Sequence, residues 1–144
     1  MEYFTHSEKE LIALGKKLAA KFKPGNVVLL SGNLGAGKTT LTKGVAQYFG
    51  IKKAITSPTF SLMNIYPLRT KNSELRTLVH IDTYRLENEE KLIEIGVEDY
   101  LGALDTVCLI EWPEKLNKIL RDKKIIKIEI EHDVDGRKIK IERL

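Results

Sequence analysis

One cysteine, Cys108, stands in 144 residues, so no internal disulfide forms, which suits a reducing compartment. No apolar run approaches the roughly 18–20 residues that a membrane span needs, and the first residues lack the apolar core of a signal peptide. The histidines and the cysteine have no metal-ligand spacing, which excludes zinc, haem and iron–sulfur signatures. Neither sign of charge dominates: 24 Lys and Arg against 20 Asp and Glu leave +4, a mild, spread excess that permits nucleic-acid binding without indicating it. There is no repeat, linker or low-complexity tract. These absences leave a soluble, cytoplasmic protein with no membrane partner, folded as a single domain over residues 1–144.

What is there is concentrated at residues 32–39, Gly-Asn-Leu-Gly-Ala-Gly-Lys-Thr, which fit the Walker A pattern G-x-x-x-x-G-K-[ST] without mismatch. Gly32, Gly35 and Gly37 let the backbone curl until successive N–H groups point at phosphate oxygens. Lys38 brings a positive charge to the β/γ-phosphates, and the Thr39 hydroxyl suits Mg²⁺. An apolar strand over 26–31 precedes the loop and a helix over 40–49 follows it, so the helix dipole also faces the anion. A nucleoside triphosphate is the ligand this setting predicts.

The rest of the chain alternates in the same way. Residues 7–22 carry one apolar stripe, with Ser7 and Glu10 as a capping box and Pro24-Gly25 as a stop. Strands over 59–66 and 75–82, with turn residues 71–73 between them, predict a hairpin or an antiparallel pair. A short helix over 88–95 ends at Gly96, a strand follows over 106–110, and Pro113 opens a helix over 114–120. Strict alternation over 125–131 and 138–142 around Asp135-Gly136 predicts a last hairpin, forming an antiparallel edge protected by lysines. The pattern predicts an α/β fold, a P-loop NTPase-like three-layer sandwich with a mainly parallel central sheet and an antiparallel C-terminal hairpin.

A Walker loop needs a carboxylate near its metal, typically at the end of a neighbouring strand. Two compete: Asp82, ending 78–82, and Glu111, ending 107–111, one for the metal and the other for water. Ser57-Pro58-Thr59 lies where many P-loop proteins place a hydroxyl that senses the γ-phosphate. Arg85 is a candidate for stabilising phosphoryl charge or meeting a partner, and Trp112 for walling the site. His80 and Cys108 sit in apolar strands as core residues, the cysteine inert. The guanine-reading N-K-x-D loop has no match, since 117–120 lacks its aspartate, and Asp82 lacks the D-x-x-G glycine. Adenine is the base expected.

Taken together, the Walker string through Thr40, Ser-Pro-Thr-Phe at 57–60, His-Ile-Asp-Thr-Tyr-Arg-Leu at 80–86, Gly-Val-Glu-Asp-Tyr at 96–100 and Cys-Leu-Ile-Glu-Trp-Pro at 108–113 make the chain resemble the bacterial TsaE (YjeE) family. These are small P-loop ATPases needed for N6-threonylcarbamoyladenosine in tRNA. The resemblance implies that Thr39 and Glu111 hold Mg²⁺ and that Asp82 is a second acidic group near metal and water. It makes 57–59 a switch segment, and Glu8 and Gly136 align with positions near the nucleotide's base. Asn33 replaces the family's usual aspartate, a change without consequence for phosphate contacts made by backbone N–H groups. The implied partner is the TsaB–TsaD heterodimer, reset by ATP hydrolysis, with tRNA reached indirectly through that complex.

The expected activity is therefore a slow, partner-controlled ATPase. Gly35, Ala36, Gly37, Lys38, Thr39 and Thr40 cradle the phosphates of ATP or ADP, and Lys38, Asp82, Glu111 and Thr59 form the catalytic set. Alone, the protein is expected to be a monomer or to self-associate weakly. A small-metabolite kinase and a non-catalytic nucleotide-gated binding module are the alternatives.

Overall fold

The computed structural model describes residues 1–56, 58, 62–69 and 74–143. In chain order the elements are β1 (Glu2–Thr5), α1 (Glu8–Ala19), β2 (Asn26–Ser31), α2 (Lys38–Tyr48), β3 (Met63–Pro67), β4 (Thr77–Asp82), α3 (Glu89–Glu94), β5 (Thr106–Glu111), β6 (Lys124–Asp133) and β7 (Gly136–Glu142). Single 3₁₀ turns at Val97–Asp99 and Pro113–Lys115 complete the set.

The strands form one sheet in the order β1-β7-β6-β2-β5-β4-β3. Its centre, β6-β2-β5-β4, is parallel throughout, while β7 and β1 on one side and β3 on the other are antiparallel. The side-chain period of two sorts each central strand between two cores. Val28, Leu30, Leu78, Val107, Leu109, Ile126, Ile128 and Ile130 face α1 and α2. Val27, Leu29, Val79, Ile81, Cys108 and Ile110 face α3 and the 113–120 segment. This is the three-layer α/β arrangement, with the second layer thin. On β6 only half-buried Ile125 packs against it, and Lys127, Glu129 and Glu131, alternating with buried isoleucines, are exposed.

Local signals hold for the first helix. The Ser7 hydroxyl accepts from the Glu10 N–H at 3.1 Å as a cap should, whereas the Glu10 carboxylate accepts at 2.6 Å from the N–H of His6, one residue before the cap, and not from that of Ser7 as the expected box requires. Helices α1 and α2 cross at two glycines: a Cβ on Gly44 would lie 2.1 Å from the Ile12 carbonyl oxygen, and one on Gly15 2.3 Å from that of Leu41. The expected antiparallel pair is β3 with β4, in register from Met63↔Ile81 to Pro67↔Thr77. The expected turn at 71–73 lies outside the described residues.

Three expectations are corrected. No α-helix covers 114–120; only the 3₁₀ turn at Pro113–Lys115 forms. The Glu89 carboxylate accepts from the N–H groups of both Lys118 and Ile119 at 3.1 Å, taking donors a helix there would need. The C-terminal hairpin is not the edge either. β6 lies inside the sheet against β2, and β1, which the pattern did not signal as a strand, pairs outside β7 from Glu2↔Lys140 to Thr5↔Arg137. Its four residues are too few to display a period. Finally, the hairpin turn is Val134-Asp135, one residue earlier than expected, with Asp133 opposite Gly136.

Candidate functional site

The loop after β2 emerges at the carboxyl ends of the parallel strands, where Asp82 and Glu111 also end their strands as direct neighbours in the β4–β5 register. Gly37 caps α2 at φ 115°, a left-handed conformation closed to most side chains, and a Cβ there would stand 2.5 Å from Leu11. A cavity of about 400 Å³ results, lined by Gly35, Gly37, Lys38, Thr39, Thr40, Asp82, Tyr84, Glu111 and Trp112. A larger groove of about 640 Å³ runs along the uncovered face of β6 and is lined by no residue of 32–39.

Lys38 is only 6% exposed. Its ammonium donates to the Gly32 carbonyl and, at 3.3 Å, to that of Asn33, and it stands 3.8 Å above the centre of the Trp112 ring. Burial lowers its pKa below the ordinary value, a shift opposed by the nearby carboxylates of Glu111, Asp82 and Glu114. An ammonium already stripped of much of its water and held on weak carbonyl and π partners is ready to trade them for an anion.

Glu111 is buried, with one carboxylate oxygen 2.6 Å from His80 Nε2, itself buried. His80 is therefore a core residue, as expected, and also the group that orients Glu111. Thr83 locks the two strand ends together: its N–H donates to the Glu111 carbonyl at 3.2 Å, and its hydroxyl donates to the same oxygen at 3.0 Å and to the Trp112 carbonyl. Asp82 accepts from the Tyr84 N–H at 2.9 Å. Trp112, half-buried at φ 59°, packs on Tyr84 with ring centres 4.9 Å apart and walls the cavity. Arg85 is exposed and does not line it.

Glu8 and Gly136 meet across a second cavity of about 280 Å³, which shares Gly35, Gly37 and Thr40 with the first. Gly136 is glycine for a steric reason: a Cβ would lie 2.0 Å from the Thr5 carbonyl oxygen, so β1 could not close against β7. Ser57 and Thr59 lie outside the described residues; Pro58 between them is buried. Sequence reasoning missed Arg137, which donates from Nε to the Ala36 carbonyl at 2.8 Å and from an Nη to that of Gly35 at 3.3 Å. In sequence it is merely a cation beside a turn.

A glycine-rich loop between a buried parallel strand and a helix, facing two carboxylates on adjacent strands, defines a P-loop α/β protein. The family model described as threonylcarbamoyl adenosine biosynthesis protein TsaE matches residues 5–139, and the chain belongs to the TsaE family. It is 37% identical over 125 residues to the tRNA threonylcarbamoyladenosine biosynthesis protein TsaE of Bacillus subtilis, covering 87% of this chain and 74% of that one. With the protein so named from Haemophilus influenzae it shares 37% over 139 residues, 93% and 84% of the two chains. The crystal structure of Bacillus subtilis YdiB superposes with a TM-score of 0.75 at 33% identity, covering 96% of this chain and 82% of that one. Among the described residues, no helix is long and apolar enough to cross a membrane.

Proposed function

We propose that this chain binds and slowly hydrolyses ATP with Mg²⁺, and that it serves tRNA threonylcarbamoyladenosine formation by binding and resetting the TsaB–TsaD heterodimer. The observation that carries the ATPase reading is the confrontation of buried Lys38 with Asp82 and Glu111 across one cavity at the mouth of the Walker loop. The biosynthetic role and the partner rest on membership of the TsaE family and on the names of its relatives.

The donors suit magnesium. Thr39, Glu111 and Asp82 offer only hard oxygens, and no group of three or more His, Cys, Asp and Glu among the described residues forms a self-sufficient cage. That matches an ion shared between one or two carboxylates and the ligand's phosphates. When bound, Mg²⁺ would neutralise charge on the phosphate oxygens. The backbone of Gly35 to Thr40 grips the phosphates, and Lys38 leaves the Gly32 and Asn33 carbonyls to compensate the β/γ charge. Glu111, held by His80, keeps its orientation without reorganisation, and Asp82 with Thr59 positions water. Glu8 and Gly136 border the base.

No arginine lines the phosphate cavity among the described residues. Low intrinsic turnover follows, and a charge supplied in trans by the partner can be worth ~10³–10⁵ in rate. Calorimetry with ATP and ADP in Mg²⁺, followed by phosphate release with and without TsaB–TsaD, tests the reading. Nucleotide uptake with partner-stimulated release of phosphate to water is expected. Absence of uptake, or transfer to a small acceptor instead of water, refutes it.

A further inference from the structure

Arg137 sits in β7, whose backbone is held on both sides, Arg137 standing opposite Thr5 of β1 and His132 of β6. From that fixed base its guanidinium reaches a part of the chain 101 residues away in sequence, the carbonyl of Ala36, as well as that of Gly35. A third donation, from its other terminal nitrogen, goes to the Gly136 carbonyl at 3.0 Å and fixes the plane of the fork.

We propose that Arg137 is the positioning residue of the phosphate loop, turning the Gly37 N–H toward the nucleotide by holding the carbonyl on the other side of the same peptide. The inference rests on the ATP-binding reading above. A trans peptide points its C=O and the following N–H in opposite directions, so fixing one fixes the other. The Gly35–Ala36 peptide is held at both ends, by Arg137 on the carbonyl and by the Ala36 N–H donating to the Asn33 carbonyl at 3.0 Å. In the Ala36–Gly37 peptide, Arg137 holds the carbonyl at 2.8 Å and directs the Gly37 N–H to the opposite side. A charged donor on the carbonyl also polarises that peptide and makes its N–H a stronger donor to an anion. Lysine could not do the same: its single ammonium lacks the rigid fork that takes two neighbouring carbonyls at once. The effect must appear where the loop grips, at the β- and γ-phosphates, and not at the base.

Arg137 also borders the second cavity, beside Glu8 and Gly136, so contact with base or ribose is the competing role. Affinities for ATP, ADP and AMP in Mg²⁺, measured by calorimetry or competition for the wild type, Arg137→Ala and Arg137→Lys, separate the two. Arg137→Ala should weaken ATP and ADP about tenfold and AMP less than about twofold, with Arg137→Lys intermediate. An unchanged ADP affinity overturns the proposal, as does an equal loss on AMP, which would place the guanidinium on the nucleoside. Should the alanine variant fail to fold by circular dichroism, the lysine variant decides by the same ratio of ADP to AMP loss. Failure of the wild type to bind ATP or ADP would instead reject the ATPase reading, a separate result.

Discussion

Replacing Gly44 by alanine sets two effects of opposite sign against each other. Glycine inside a helix costs up to about 1 kcal/mol relative to alanine, so propensity alone predicts a more stable protein. Packing predicts the reverse. The new Cβ would lie 2.1 Å from the Ile12 carbonyl oxygen and 3.0 Å from the Gly15 Cα, both backbone atoms that no rotamer change can move. A real Cβ essentially never comes within 3.0 Å, so α1 and α2 must separate by about 0.9 Å at their crossing. Overpacking costs typically about 1–3 kcal/mol, and a backbone-to-backbone clash belongs at the top of that range. The net loss is about 2 kcal/mol, or a melting temperature lower by roughly 6–10 °C in a domain of this size. Since α2 opens with Lys38 and Thr39, the same displacement should weaken ATP binding. Thermal unfolding followed by circular dichroism, without ligand, measures the first effect. Gly15→Ala should act alike, and the double variant should cost less than the two losses added, because one separation of the helices relieves both clashes. A Gly44→Ala melting temperature equal to or above that of the wild type would show that the helices do not meet as closely as described.

Lys38→Ala should reduce ATP affinity by at least about tenfold, and in the wild type the affinity should fade with rising pH before an ordinary exposed lysine titrates, because burial lowers the pKa of this one. Trp112 is the only tryptophan and carries the Lys38 ammonium on its face, so ATP binding should change its fluorescence; an unaltered spectrum at saturation means that Lys38 does not move. Burial pushes the Cys108 thiol up to about 12 from 9.0, so thiol reagents at pH 8 should label it only after unfolding. With the folded value raised, that group's stabilisation is complete below pH 9.0 and is lost progressively as the pH rises from there to about 12, so denaturant titrations from pH 8 to 10 should show the onset of falling stability. His80→Phe removes the 2.6 Å partner of buried Glu111 and should cost about 1–3 kcal/mol, together with weaker Mg²⁺-dependent nucleotide binding; equal stability would mean Glu111 needs no such partner.

Much of this architecture is written locally. The Walker loop specifies its own shape, because glycine at 37 opens a left-handed backbone that other residues resist. The isoleucines at 126, 128 and 130 and the outward charges between them determine which face of β6 is buried, since side chains of a strand alternate. Asp82 and Glu111 were recognisable as strand-end carboxylates, yet only the pairing of β4 with β5 made them neighbours. The remainder lies in contacts that no window of sequence contains. Residues 114–120 have the spacing of a helix, but a carboxylate from Glu89 captures their N–H groups, and tertiary competition outweighs a short local preference. Likewise β1 is a strand because β7 offers it an edge, Gly136 is small because Thr5 crosses above it, and Arg137 matters because folding carries it to the Gly35 and Ala36 carbonyls. Periodicity and turn chemistry act over a few residues, whereas the partner of a backbone oxygen is chosen only when distant segments close on one another.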